Sequence, residues 1–350
     1  MGGPGGIALE ADPDFTCAGI GCLELAGVRP YRNQTYRLES ETVGSTFVVH
    51  NYGHGGAGIT MSWGCATRVR DLVRAHQLPP AQVAVLGSGV MGLTAATLLR
   101  DAGYTVHIYA AALQWTTSDV AGGQFCPSFV EHRQTASATA EFEDILRTSF
   151  AMHSARIGLG YGVSRRVNYS KHGSGTSFDK VPDDVIPPPT VYPRLPFAQL
   201  NQPGYGYQTL LIEPPIFLST LRAGLSADVG FTQRVFHAPA EVDALDEPIA
   251  INCTGLGAGS LFSDTKMEPI KGQLVLVKPQ PALTYLYSSD RSYVFPRSDH
   301  VVVGGTYQEG VGDTTVDPAI SNSILQMAAE VFAGGAAPPV ASPWMLPLFR

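Results

Sequence analysis

The segment Val83-Ala84-Val85-Leu86-Gly87-Ser88-Gly89-Val90-Met91-Gly92 constrains this chain more than any other stretch. A short apolar run enters a Gly-x-Gly-x-x-Gly turn, and residues with helical spacing follow to Asp101. Strand, glycine turn and helix in that order make a phosphate site. Gly87 permits the tight turn, Gly89 lets backbone approach a pyrophosphate, and Gly92 lets helix and strand pack closely. The helix amino terminus adds unpaired N–H groups and a partial positive charge. Gly87, Gly89, Val90 and Met91 are therefore expected to hold a dinucleotide. An acidic ribose ligand is expected about twenty residues further on, but the second strand, Thr105 to Tyr109, runs into Ala110, Ala111 and Ala112. Backbone, water or another segment must hold the ribose.

The 350 residues can bury a substantial core, as one bilobal unit or as two domains. A hydrophobic fraction of 44% with 15% charged residues describes a folded chain, and the net charge of −7 argues against a nucleic-acid partner. The longest apolar run, Ala84 to Leu99, is broken by Gly87, Gly89 and Gly92, so no membrane span is expected. The five cysteines are odd in number and widely spaced, so no disulfide framework follows. Cys17 and Cys22 have no His cluster nearby, and Gly53, Gly55 and Gly56 disfavour the helix that would align His50 with His54. No metal is expected. No secretory leader or peroxisomal tripeptide is evident, which points to the cytoplasm. A Ser-His-Asp hydrolase would lack its Gly-x-Ser-x-Gly elbow.

Residues 1–26 carry little pattern and read as a poorly specified leader. Strands are expected at Thr35 to Glu39 and Thr46 to Val49, then a helix from Ala66 to His76 stopped by Pro79-Pro80. Beyond the fingerprint come a polar loop (Thr116 to Pro127), a helix (Glu141 to Ile157) and a Pro- and Tyr-rich middle. A helix (Pro215 to Leu225) and strands at Ile249 to Cys253, Gln273 to Val277 and Val301 to Gly304 follow. The last helix is Ala319 to Phe332, ahead of a Pro-rich tail.

Upstream of the fingerprint lies His50-Asn51-Tyr52-Gly53-His54-Gly55-Gly56-Ala57-Gly58-Ile59-Thr60, followed by Trp63-Gly64-Cys65-Ala66. This run closely resembles the closing motif of the D-amino-acid oxidase family, where it comes after the fingerprint. The reversed order resembles a circular permutation with the family's usual termini fused at Pro79-Pro80, a join tolerated where termini lie close together on the surface. Gly27-Val28-Arg29-Pro30-Tyr31-Arg32 resembles the family's Gly-x-Arg-Pro-x-Arg. Thr116 to Gln124 resembles its loop along the flavin, Asn252-Cys253-Thr254-Gly255 a turn completing the adenine lobe, and Ser292 to Pro296 its substrate-tyrosine strand.

The resemblance implies an α/β (α+β) fold, an FAD-binding Rossmann-type domain interleaved with a sheet-rich substrate-binding domain. It assigns 45–150 and 236–265 to FAD, 27–44, 151–235 and 266–318 to substrate, and 319–350 to a terminal helix and tail. FAD is favoured over NAD. Its expected ligands are Gly87, Gly89, Val90, Met91, Thr117, Ser118, Gly122, Gly123, Gln124, Val235, Thr254 and Gly255. Gly55, Gly56, Gly58, Ile59 and Thr60 would serve the flavin's pyrimidine edge. Arg29 would fork the substrate carboxylate and Tyr293 would donate its hydroxyl to it, with Gly56 and Gln124 beside the substrate. The implied reaction passes hydride from Cα of a D-amino acid to flavin N5. The imino acid hydrolyses to 2-oxo acid and ammonia, and dioxygen yields hydrogen peroxide. D-aspartate oxidase, another amine-oxidising flavoenzyme or an inactive flavin-binding protein are the alternatives, and a homodimer is open. Gln124 stands where mammalian members have an apolar residue and Cys126 where they have glutamine. Only Arg291 and Ser292 separate Asp290 from Tyr293, so the mammalian lid and its second tyrosine have no counterpart.

Overall fold

The structure, a computed structural model, describes residues 8–17, 21–290 and 292–334. Arg291 and the Pro-rich tail lie outside the described residues. The chain opens with β1 (Leu23–Arg32), β2 (Arg37–Val43), β3 (Thr46–Tyr52), α1 (Gly58–His76), β4 (Gln82–Leu86), α2 (Val90–Asp101) and β5 (Thr105–Ala110). Then come α3 (Thr117–Val120), α4 (Ala136–Ser154), β6 (Val163–Ser170), β7 (Thr190–Tyr192), β8 (Gly204–Ile212), α5 (Pro214–Leu225) and β9 (Gly230–Gln233). The remainder forms α6 (Pro239–Asp243), β10 (Ile249–Asn252), α7 (Ala258–Leu261), β11 (Met267–Val277), β12 (Leu286–Ser288), β13 (Tyr293–Pro296), β14 (Val301–Gly304), β15 (Gln308–Glu309) and α8 (Pro318–Phe332).

A six-stranded sheet runs β2-β3-β10-β4-β5-β9. Its β3, β10, β4, β5 and β9 pair in parallel, so their carboxyl ends share one edge. The glycine turns at Gly53, Gly87 and Gly255 follow the ends of β3, β4 and β10, and therefore gather on that edge. Ligands of open parallel sheets bind there. Val83 to Leu86 of β4 are buried, and α2 packs closely because Gly92 has no Cβ: one added there would run into the carbonyl of Gly87. Val83, Val85, Leu93 and Leu99 are fully buried, each contributing about 1.5–3 kcal/mol relative to exposure.

The nine-stranded sheet runs β1-β11-β14-β13-β12-β6-β8-β7, with β15 on β11. One face meets α8, where Tyr169, Tyr285, Tyr287 and Phe332 form an aromatic core. The other carries Leu211, Leu274, Leu286, Tyr293, Phe295 and Val302 toward the glycine turns. Among the described residues no helix is long and apolar enough to cross a membrane.

Several expectations need correction. β1 starts at Leu23, inside the stretch read as leader, because its alternation finds β11 as a partner far along the chain. Residues before it are also fastened, Tyr169 Oη to Glu10 and Tyr285 Oη to the Ala11 carbonyl. Cys17 and Cys22 are bonded to each other, a pairing that five cysteines do not reveal. The helix expected from Ala66 begins at Gly58, since packing against α2 and α4 outweighs the low helix propensity of Gly58 and Gly64. β2 and β9 sit in the six-stranded sheet, although 27–44 and 151–235 were assigned to the substrate side. β2 is the hairpin partner of β3, and β9 extends the parallel edge at β5.

Candidate active site

One cavity opens where the carboxyl edge of the six-stranded sheet faces the large sheet. Val90 and Met91 of α2, Thr117 and Ser118 of α3, and Gly255 line it. Gly89 caps α2 without a side chain, and the first turn carries no acidic residue, so nothing anionic competes for its N–H groups. Thr116 and Asp119 form a capping box around α3, and Asp119 is held by Arg222 at 3.0 Å. Ser118 Oγ accepts the Val90 N–H at 3.1 Å, locking α3 against the start of α2. Ser88 Oγ donates to the Ala112 carbonyl at 2.5 Å and Gln233 Nε2 to that of Ala111 at 3.0 Å. Protein backbone is thus tied down where the ribose acid was expected.

Gly55, Gly56, Gly58 and Ile59 line a second part of the wall, beside Gly122, Gly123 and Gln124. Thr60 Oγ1 joins the two loops through the Cys126 carbonyl at 3.0 Å. Asn51 Oδ1 and Gln124 Nε2 are buried without a partner, and both residues face the cavity. Orphaned polar atoms and a helix terminus whose N-cap, Gly89, has no side chain suit a ligand with phosphates at one end and a polar heterocycle at the other, as FAD has. His54 Nε2 lies 3.4 Å from Cys65 Sγ, and burial pushes its imidazole down to about 3, so it is neutral. His50 instead meets Glu41 at 2.7 Å and Asn252 at 3.0 Å; the two histidines do not converge.

The third wall is a face of the large sheet. Leu25, Gly27 and Arg29 of β1 alternate with Leu274, Gly272 and Ile270 of β11, and Gly304 follows in register with both Leu274 and Tyr293. A Cβ on Gly272 would strike the Arg29 guanidinium and one on Gly304 the Tyr293 ring. These two glycines open a lane in which both side chains lie across the strands. Arg29 lines the cavity and donates to the Thr306 carbonyl at 3.2 Å, and the Phe129 ring covers its Cζ at 5.2 Å. Among the described residues no carboxylate pairs with it. Burial lowers the guanidinium pKa, with Tyr293 and Tyr307 opposing, and burial raises the Tyr293 phenol, with Arg29 and Arg297 opposing. Tyr293 is therefore a protonated donor beside an arginine without a counter-charge.

Of the expected positions, Arg29, Tyr293, Gly55, Gly56, Gly58, Ile59, Val90, Met91, Thr117, Ser118, Gly122, Gly123, Gln124 and Gly255 meet at this cavity. Gly87 and Gly89 shape the turn beneath it. Thr60 is spent on the loop contact, and Thr254 Oγ1 on Asn252 at 2.7 Å. Val235 is exposed, away from the cavity lining. Phe129, Ser170 and Ser288 also line the cavity, unsignalled by any motif. Asp290 and Tyr293 are joined by a tight hairpin, Ser289 N–H to the Ser292 carbonyl at 2.9 Å.

Residues 222–346 match the DAO family of FAD dependent oxidoreductases. The D-amino-acid oxidase of Streptomyces coelicolor is 29% identical over 260 residues, covering 71% of this chain and 77% of the relative. That of Rubrobacter xylanophilus is 28% identical over 264 residues, 70% and 76% of the two chains. The D-aspartate oxidase of Homo sapiens is 27% identical over 258 residues, 70% and 74%. The crystal structure of glycine oxidase from Bacillus cereus aligns at a TM-score of 0.52 and 17% identity, over 72% of this chain and 79% of that one, a likeness of fold. With the dinucleotide turn, the glycine loops and the buried arginine in one cavity, the chain carries an FAD dependent oxidoreductase domain of the DAO family over residues 222–346 and is homologous to D-amino-acid oxidases.

Proposed function

We propose that this enzyme deaminates D-amino acids oxidatively, with dioxygen as the final acceptor and 2-oxo acid, ammonia and hydrogen peroxide as products. The observation that carries the reading is Arg29, a cation with no counter-charge among the described residues, beside the Tyr293 hydroxyl on the cavity wall. An enclosed guanidinium stays uncompensated until an anion arrives, and its planar fork suits the two oxygens of a carboxylate. Tyr293 donates a further hydrogen bond to that carboxylate. Fixing the carboxylate at one end limits the substrate to few orientations, which is how positioning lowers a barrier. Bound FAD supplies the acceptor for the hydride leaving Cα. The substrate's own neutral amine provides the electron pair that becomes the C=N bond, so no protein base is needed. His54, neutral and engaged with Cys65, is not offered as one.

The reversed order of the glycine segment and the fingerprint is read as a circular permutation joined at Pro79-Pro80. Gly55 to Thr60 and Gly122 to Gln124 adjoin each other in the cavity wall, as that reading requires.

The test is an anaerobic spectrum of the FAD-loaded protein with a panel of D-amino acids and their L-enantiomers. Bleaching of the flavin by D-amino acids alone supports the proposal. A flavin that no D-amino acid bleaches overturns it.

A further inference from the structure

On the far side of Tyr293 from Gly304, the large sheet changes chemistry. Ser288 pairs in register with Tyr293, and Ser170 with Ser288, so both serines project from the face that carries Tyr293. Both line the cavity. Asn168 precedes Ser170 by one step on the same face and is fully buried; its Nδ2 donates to Ser288 Oγ at 2.8 Å. The His172 backbone N–H donates to Ser170 Oγ at 3.2 Å.

A serine oxygen that accepts from a fixed N–H keeps its own O–H to give away. Among the described residues nothing accepts from either hydroxyl, so both are left to donate toward the cavity. The wall opposite the Arg29 end therefore presents paired donors that need an acceptor. An apolar substrate side chain would leave them buried and unsatisfied, which costs more than a hydrogen bond gains.

Charge decides what kind of acceptor fits. Arg29 is the one arginine or lysine among the described lining residues. Arg32 is engaged with Asp264 at 2.7 Å, Arg297 with Asp299 at 2.9 Å, and Lys171 and His172 with Asp290 at 2.7 and 2.6 Å. A second carboxylate at the serine wall would be buried without a counter-charge, whereas a hydroxyl or carboxamide oxygen would be satisfied by the donors present.

We propose that Ser170 and Ser288 make this site selective for D-amino acids whose short side chain ends in an uncharged hydrogen-bond acceptor, a hydroxyl or a carboxamide. The inference rests on the reading that Arg29 holds the α-carboxylate.

The test compares substrates of equal shape on the FAD-loaded full chain: D-serine against D-2-aminobutyrate, and D-asparagine against both D-leucine and D-aspartate. In each pair the uncharged polar member is expected to have the higher kcat/KM, by about tenfold or more. In the Ser170→Ala, Ser288→Ala double variant the D-serine to D-2-aminobutyrate ratio is expected to fall toward one. Equal or reversed preference in the unaltered enzyme, or a ratio unmoved by the double variant, overturns this inference and leaves the proposed reaction standing. Preference for D-aspartate over D-asparagine overturns it as well. Flavin reduction by none of the five overturns the proposed reaction and this inference with it.

Discussion

The Arg29 guanidinium lies 5.2 Å from the centre of the Phe129 ring and donates to the backbone carbonyl of Thr306. Its neighbours steady it without neutralising it. A ring face attracts a cation through its quadrupole but contributes no charge, so the fork stays open to a substrate carboxylate.

Arg29→Lys should therefore retain FAD and lose most activity. A point charge in place of the bidentate fork costs roughly 2–5 kcal/mol, about thirty- to several-thousand-fold in kcat/KM. Kinetics like those of the unaltered enzyme, in a flavin-loaded variant, would make Arg29 a structural residue.

Phe129 contributes less and differently. Phe129→Leu removes the ring from over Arg29, a contact worth about 0.5–2 kcal/mol. The expected effect is a KM raised roughly two- to thirtyfold with kcat changed far less. A kcat loss with unchanged KM would reject it.

Gly272 provides a test that spares the folded state. An added Cβ there meets the mobile tip of Arg29 rather than backbone. Gly272→Ala is expected to melt near the unaltered protein, since the side-chain tip can shift, yet to bind substrate poorly because the fork is displaced. Normal KM in that variant would mean that the Arg29 tip does not hold substrate.

The glycine turns were legible in the sequence because each does its work over a few adjacent residues: Gly87 to Gly92 at a helix start, Gly55 to Ile59 in a loop, Arg29 before Pro30. Ser170 and Ser288 were not, because they meet through strand register across β6 and β12, and a serine in a strand carries no local signature. Phe129 likewise reaches Arg29 only after β1 and the loop beyond Cys126 are folded together. The strand at Leu23 was hidden for the same reason, its partner β11 lying far along the chain. At the ribose position Ala111 and Ala112 carry no polar side chain, and their carbonyls already accept from Gln233 and Ser88.

Two buried histidines set an acid limit on stability. Burial pushes both His54 and His153 down to about 3, from an ordinary value near 6.5. Between those values the unfolded chain binds protons that the folded chain refuses. Their contribution is therefore complete above about pH 6.5 and is lost as pH falls toward 3, by up to ~1.4 kcal/mol per pH unit for each. Urea midpoints should drop clearly from about pH 7 to about pH 5. A flat profile over that range would show that these imidazoles take up protons in the folded state.

The tight hairpin between β12 and β13 bears on turnover. Lids that must open before product leaves often set kcat. Here Ser289 and Ser292 close the turn on themselves, and the chain re-enters β13 at once with Tyr293. That connection holds little chain that could fold over the cavity and later swing away. Product should leave quickly, and the step that limits kcat should be reduction of the flavin by substrate. Stopped-flow reduction under anaerobic conditions measures that step directly, and it should match kcat for a good D-amino-acid substrate. A reduction rate far above kcat would place the slow step after chemistry and require some other element to gate release.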